Sequence, residues 1–140
     1  MDCLGCRIAN GIEPGVNVIY ENEHVACVLD IAPFNEGHTL ILPKKHYHDL
    51  DEIDAATLDA ITKASVTISR LLKQLYKPDG ITICQNGGVF NDLTHYHAHV
   101  IPRYQNDGFS WSEPLWEHQA STRLTDTRSI MASYLNTSLK

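Results

Sequence analysis

The sequence has no long stretch of basic residues: its longest run is Lys44-Lys45. Eleven basic residues stand against seventeen acidic ones, which gives a formal net charge of −6. Proteins that hold DNA or RNA without regard to sequence use an excess of positive charge. We therefore expect no nucleic-acid partner. A small anionic ligand is not excluded, because a few dipoles or cationic groups suffice to bind it.

Apolar runs long enough to cross a membrane are also lacking, so we expect no membrane partner. The segment Met1–Cys6 has neither the basic nor the apolar region of a signal peptide, which predicts a cytoplasmic protein. In that compartment the four cysteines are not expected to form disulfides. Cys27 and Cys84 lie within apolar, strand-like runs, and we expect both in the core.

The 140 residues and the hydrophobic fraction of 43% predict a single globular domain, residues 1–140. Apolar runs between turn signals predict five strands, at 16–20, 24–30, 38–43, 80–85 and 95–101. Helical periodicity predicts one long helix before the fourth strand and a last helix over about 125–139. This order of elements favours an α+β fold on an antiparallel sheet.

The long helix is predicted from apolar residues that recur at steps of three and four. Asp54 is the expected N-cap, and the turn at 77–80 ends the helix. The face expected to meet the sheet consists of Leu58, Ile61, Ser65, Ile68, Leu72 and Leu75.

Three of the eight histidines occupy alternate positions in the last strand: His95, His97 and His99. Alternate side chains of a strand share a face, so these imidazoles are expected in one row, with the intervening residues toward a core. Such a row can bind zinc, attack a substrate as a nucleophile, or merely fill a polar sheet face. Asp92 is the acidic residue nearest to the row in sequence, three positions before His95.

The segment His95–Ile101 resembles the signature of the histidine-triad (HIT) family, in which three histidines alternate with apolar residues. Further motifs resemble the bacterial branch of that family, and together they cover about residues 3–104, leaving 105–140 as a C-terminal extension. These motifs are Cys3–Ile8, Tyr20–Val25, Leu29–Ile31, Gly37–His46, Gln85–Gly87 and Ile101–Tyr104.

The resemblance implies a HIT-like fold and an enzyme acting on the α-phosphate of nucleoside phosphoramidates or dinucleoside polyphosphates. His97 would attack the phosphorus and become nucleotidylated, His99 would bind the phosphate, and His38 would orient the region of His97. The substrate, a nucleotide and most often a purine one, would be bound by Asp30 at the ribose and Asn86 near the phosphate. The base pocket would be lined by Ile8, Val28 and Ile31.

The resemblance also implies a structural zinc rather than a catalytic metal. Its ligands would be Cys3, Cys6, His46 and His95, with His48 as a substitute for His46. Two thiolates and two imidazoles make a closed tetrahedral site, which agrees with this role. The alternative for the Cys-x-x-Cys is a redox pair, although the expected βαβ context is missing. Proteins of this family and size are usually homodimers, and we expect one here.

The chain departs from the family pattern just before the triad. Asp92 stands where a serine or threonine usually contacts the α-phosphate, and Asn91 is the expected substitute for that contact. Gly5 replaces a frequent aromatic residue, which predicts a looser base pocket. Because of Asp92, one rival remains, a nucleotide-binding regulatory or scaffold module with little activity. A zinc hydrolase is a third alternative. Trp111 and Trp116 could cap the site, support a dimer or close the core, the last being the commonest fate of a tryptophan.

Overall fold

The computed structural model of the protein describes residues 2–113 and 119–138. Its centre is a five-stranded antiparallel sheet in the order β1-β2-β3-β5-β4. The α+β prediction is therefore confirmed. The strands are β1 Val18–Glu21, β2 Val25–Leu29, β3 Thr39–Pro43, β4 Gly80–Gln85 and β5 Ala98–Arg103, and the helices are α1 Leu4–Ala9, α2 Ala55–Tyr76 and α3 Leu124–Ser138.

The first three strands form an antiparallel meander. Asn22 closes the β1–β2 turn, because its side-chain oxygen accepts hydrogen bonds from the backbone of His24 and Val25, at 2.8 and 3.0 Å. β3 lies in the middle of the sheet, as its apolar run predicts. Cys27 is buried in the core as expected, whereas Cys84 on the edge strand β4 is only half-buried.

Helix α2 packs on the sheet through a face of small and branched residues. Asp54 caps it by accepting a hydrogen bond from Thr57 N–H at 2.8 Å, as predicted. The predicted apolar face is partly wrong, because Leu58 and Leu75 are exposed. Small residues let the helix approach the sheet closely, so the buried face includes Ala60 and Ala64 rather than the two leucines. The buried residues are Thr57, Ala60, Ile61, Ala64, Ile68 and Leu72.

The last strand begins three residues later than predicted, at Ala98. His95 and His97 precede it in an extended segment, and Tyr96 N–H donates to the Tyr47 carbonyl at 2.7 Å. The alternation persists through this segment, since Tyr96 and Ala98 enter the core while the histidines point away from it.

The chain divides into two compact units, residues 1–109 and 110–140. The first unit continues past Tyr104 because the Asp107 carboxylate accepts hydrogen bonds from Arg103, Asn35 and the Phe109 backbone. Trp111 is 74% exposed, so the prediction that it closes the core is wrong, and Trp116 lies outside the described residues. Of the described helices, none has the length and apolar character needed for a membrane crossing.

Candidate functional site: a histidine pocket beside a Cys/His cluster

An open pocket of about 240 Å³ lies where α1 and the end of β2 approach the histidine segment. Its walls are mostly apolar, with the polar groups gathered at one side. The structure brings six of the predicted site residues to this pocket: Ile8, Val28, Asp30, Ile31, His97 and His99. Leu4, Leu40 and Leu93 also line it; they were not predicted because an apolar residue gives no chemical signal in a sequence.

One hydrogen bond determines which ring nitrogen of His97 carries the proton. Its Nδ1–H donates to the carbonyl oxygen of His95 at 2.9 Å, because a carbonyl can only accept. The lone pair of the neutral ring therefore sits on Nε2. His97 lines the pocket, and its Nε2 lies 3.5 Å from Oδ1 of Asp92. A buried, oriented imidazole with a free Nε2 is the arrangement that a nucleophile needs.

His38 and His99 form a relay whose direction is also determined. Phe34 N–H donates to His38 Nδ1 at 3.1 Å, so the proton of His38 is on Nε2. His38 Nε2–H donates in turn to His99 Nδ1 at 2.9 Å. The proton of His99 is consequently on Nε2, where it can be donated to an oxyanion. His38 thus holds His99, whose ring contacts that of His97 with centroids 5.0 Å apart.

Burial keeps this relay uncharged. It lowers the pKa of His38, and, together with the nearby His97 and His38, it lowers the pKa of His99 from 6.5 to about 4. Asp30 opposes the shift only in part, with Oδ2 3.5 Å from His38 Nε2 and 4.0 Å from His99 Nδ1. These three donor atoms are close enough to share an ion, yet the two ring nitrogens already share a proton. The hydrogen bond between His38 and His99 therefore already involves two of the three donor atoms.

A second cluster brings together the four predicted zinc ligands. Their donor atoms all lie within 4.8 Å of one another. Cys6 Sγ lies 3.4 Å from His46 Nδ1 and 3.5 Å from His95 Nδ1, and Cys3 Sγ lies 3.6 Å from His95 Nδ1. Zinc bonds of about 2.3 Å to sulfur and about 2.0 Å to nitrogen in a tetrahedron separate the two atoms by about 3.5 Å. The donor set and its spacing therefore fit zinc.

The ring of His95 is fixed for such a role from its other side. His95 Nε2–H donates to the Pro43 carbonyl at 2.8 Å, which leaves the Nδ1 lone pair toward the two sulfurs. His48 is outside the cluster, with its Nδ1 3.3 Å from Asp49. His46 is thus the histidine that the structure places with the cysteines.

The family model for the HIT domain matches residues 13–106. The chain belongs to the HIT family. A HIT-like protein of Methanocaldococcus jannaschii, itself uncharacterized, is 44% identical over 108 residues, which are 76% of this chain and 82% of that protein. Adenylylsulfatase HINT3 of Arabidopsis thaliana is 33% identical over 119 residues, 84% of this chain and 60% of the plant protein.

Solved structures of HIT proteins share the fold. The crystal structure of a HIT family protein from Bacillus anthracis matches with a TM-score of 0.83 and 30% identity, over 97% of this chain and 96% of that one. A zinc-bound histidine triad family protein from Mycobacterium smegmatis matches with a TM-score of 0.71 and 32% identity, over 95% and 97% of the two chains.

For three residues near this HIT site, the structure differs from what the family resemblance implies. Asn91 is buried and holds its own loop: Nδ2 donates to the His48 carbonyl at 3.2 Å, and Oδ1 accepts from Leu93 N–H at 3.1 Å. Asn86 is exposed at the end of β4, and neither asparagine is among the described residues that line the pocket. Gly5 does not widen the pocket, because a Cβ there would lie 2.2 Å from His95 Cβ. Its missing side chain makes room for the imidazole of the Cys/His cluster.

Proposed function

We propose that this HIT protein is a nucleotidyl hydrolase or transferase that acts on the α-phosphate of nucleoside phosphoramidates or dinucleoside polyphosphates. The observation that carries the proposal is the hydrogen bond from His97 Nδ1 to the His95 carbonyl, since it leaves the Nε2 lone pair in the pocket. HINT3, a relative with a named adenylylsulfatase activity, supports hydrolysis at a nucleotide phosphate within the family.

In the first step the lone pair of His97 Nε2 forms a bond to the α-phosphorus. The bond from phosphorus to the leaving group breaks, and its electron pair goes to the leaving nitrogen or oxygen, with a proton from water for an amine. In the second step water adds to phosphorus and gives up a proton, which neutralises the hydroxide left by the first step or goes to solvent. The bond from phosphorus to Nε2 breaks, its electron pair returns to Nε2, and the nucleoside monophosphate is released. The Nε2–H of His99 donates to the phosphoryl oxygens throughout.

The pocket also supports the binding of the nucleoside. Asp30 is held at the end of β2, where its Oδ1 accepts a hydrogen bond from Ala32 N–H at 2.8 Å. Its second carboxylate oxygen can accept from ribose hydroxyls. Ile8, Val28 and Ile31 offer apolar surface for a base, and a purine presents the larger face to such a wall.

We propose a structural zinc at Cys3, Cys6, His46 and His95. All four positions are filled by protein ligands, which is typical of structural sites and leaves none for a substrate. We expect the protein in the cytoplasm, where its four free cysteines would stay reduced. We also expect a homodimer, because the edge strand β4 exposes Ile83 beside the apolar Val66 of α2.

The mechanism is tested with the His97→Ala variant and adenosine 5′-phosphoramidate. We expect wild-type protein to release AMP and the variant to release none, while its affinity for AMP stays within a few-fold of wild type. The acid-labile, base-stable adenylyl group on wild-type His97, found by mass spectrometry after rapid quenching, would identify the intermediate. Turnover by His97→Ala would refute the role of this residue.

One observation favours a second candidate function, a nucleotide-binding regulatory module with slight activity. Asp92 places a carboxylate 3.5 Å from the nitrogen that must approach an anionic phosphate. This candidate predicts tight AMP binding together with negligible turnover of every adenylated substrate by wild-type protein.

A further inference from the structure

Asp92 is the feature that distinguishes this pocket from the usual family pattern, and its carboxylate stands at the reacting centre. Oδ1 lies 3.5 Å from His97 Nε2, and the side chain is 93% exposed on the open side of the pocket. It is therefore beside the position that a phosphorus atom bonded to Nε2 would occupy.

The loop holds Asp92 at this place. Asn91 precedes Asp92, and its buried side-chain amide donates to the His48 carbonyl and accepts from Leu93 N–H. Thr94, two residues later, has a left-handed backbone with φ of 54°, which completes the turn into the histidine segment. These contacts hold the backbone of Asp92 beside His97, and in this rotamer its carboxylate lies 3.5 Å from Nε2.

The described lining of the pocket has no lysine or arginine to offset this charge. The carboxylates in that lining are Asp30 and Asp92. His99 is held neutral by burial, which lowers its pKa to about 4. The pocket thus presents two negative charges to the substrate.

We propose that Asp92 makes the pocket select substrates whose leaving group is uncharged or cationic over substrates whose leaving group is a polyphosphate. The α-phosphate is common to both classes, so its repulsion by Asp92 does not discriminate between them. A polyphosphate leaving group adds several negative charges close to the carboxylate, whereas an amine adds none. The amine becomes protonated as it leaves, and the carboxylate attracts the resulting cation. This inference rests on the proposed function and names its substrate class as the phosphoramidates.

The test compares kcat/KM for two substrates with the same adenylyl group, adenosine 5′-phosphoromorpholidate and diadenosine triphosphate, without added divalent cations that would mask phosphate charge. We expect wild-type protein to prefer the morpholidate. In Asp92→Asn, which keeps the shape and removes the charge, the ratio should shift toward the triphosphate by about tenfold, the change that a difference of about 1.4 kcal/mol produces. Asp92→Ser should shift it in the same direction.

Glu23→Gln is the matched control, since it removes one negative charge from the β1–β2 turn, outside the pocket lining. It should leave the ratio as in wild type. An unchanged ratio in Asp92→Asn would overturn the proposal, and so would a shift in Asp92→Ser alone, because size rather than charge would then decide.

A binding series separates this inference from the proposed function. Calorimetric titration with AMP, ADP and ATP measures affinity, with no reaction, for ligands that carry increasing negative charge beyond the α-phosphate. In wild type we expect affinity to fall from AMP to ATP. In Asp92→Asn the ratio of AMP affinity to ATP affinity should be about tenfold smaller than in wild type. Absence of turnover in wild type would refute the hydrolase, whereas equal slopes of the binding series in the two proteins would refute the role of Asp92.

Discussion

Three hydrogen bonds give three chemically identical histidines different tasks. A carbonyl accepts from His97 Nδ1–H and another accepts from His95 Nε2–H, so the free lone pairs of these rings are on opposite types of nitrogen. His99 differs again, because it accepts from His38 and keeps its own proton on Nε2. The alternation in the sequence shows that the rings share a face, but the backbone oxygens that assign their protons carry no sequence signal.

Stability should fall on mild acidification because His99 resists protonation. In the unfolded chain its pKa is the ordinary 6.5, while in the folded protein it is about 4. Between these values the unfolded state binds the extra proton, so the free energy of unfolding decreases as the pH falls and levels off below about 4. For this group alone the loss between about pH 7 and about pH 5 is about 2 kcal/mol.

The measurement is urea unfolding of wild type and His99→Asn at the two pH values. The variant should lose about 2 kcal/mol less than wild type on acidification. His24→Asn, at the protein surface, is the control and should follow wild type. Parallel behaviour of His99→Asn and wild type would contradict the assignment.

At the scale of elements, the sequence predicts well whatever depends on local pattern. β4 has the predicted bounds, and the cap at Asp54 and the end of α2 before Pro78 follow from residue types that favour those positions. The left-handed backbone of Lys77, with φ of 48°, is not favoured by its residue type. The late start of β5 was missed because Tyr96 pairs with Tyr47 outside the sheet, a contact between distant segments. The burial of Asn91 has no sequence signal for the same reason: its partner, the His48 carbonyl, lies 43 positions away.

Helix α1 is the element that most needs the Cys/His cluster. Its six residues are too few for a helix to be stable alone. Cys3 caps it and Cys6 lies within it, so a metal at the cluster would join it to the segments that carry His46 and His95.

Loss of the metal should therefore loosen α1 before the sheet. We expect purified protein to contain about one zinc per chain. Chelation, or the His46→Asn variant, should lower Tm and raise hydrogen exchange in α1 far more than in β3. His48→Asn is the control, since this neighbouring ring is outside the cluster, and it should keep both zinc and protection. Retention of zinc by His46→Asn would disprove the ligand assignment.

At the scale of the whole molecule, apolar side chains remain at the surface of both units. In the first unit Ile83 is 53% exposed on the edge strand β4. In the second unit α3 exposes Ile130, Met131, Tyr134 and Leu135. Surfaces of this kind commonly meet another protein chain, and the composition alone cannot show them, because a sequence does not state which apolar residues stay uncovered.

Association through β4 predicts a specific defect. Light scattering with gel filtration at micromolar concentration should give the mass of a dimer for wild type. Ile83→Arg should shift the mass toward the monomer, because a charge at an apolar contact must lose its water. Ile12→Arg adds the same charge at another exposed isoleucine and should stay dimeric. A wild-type monomer would refute the homodimer.

His95 belongs to two sites at once: its ring faces Cys3 and Cys6, while its carbonyl holds the proton of His97. Two ligands that depend on one residue are thermodynamically linked, and the linkage is reciprocal. The factor by which zinc changes the affinity for nucleotide equals the factor by which nucleotide changes the affinity for zinc. If zinc strengthens nucleotide binding, a saturating nucleotide should raise the affinity for zinc by the same factor, as measured by competition with a chelator at equilibrium.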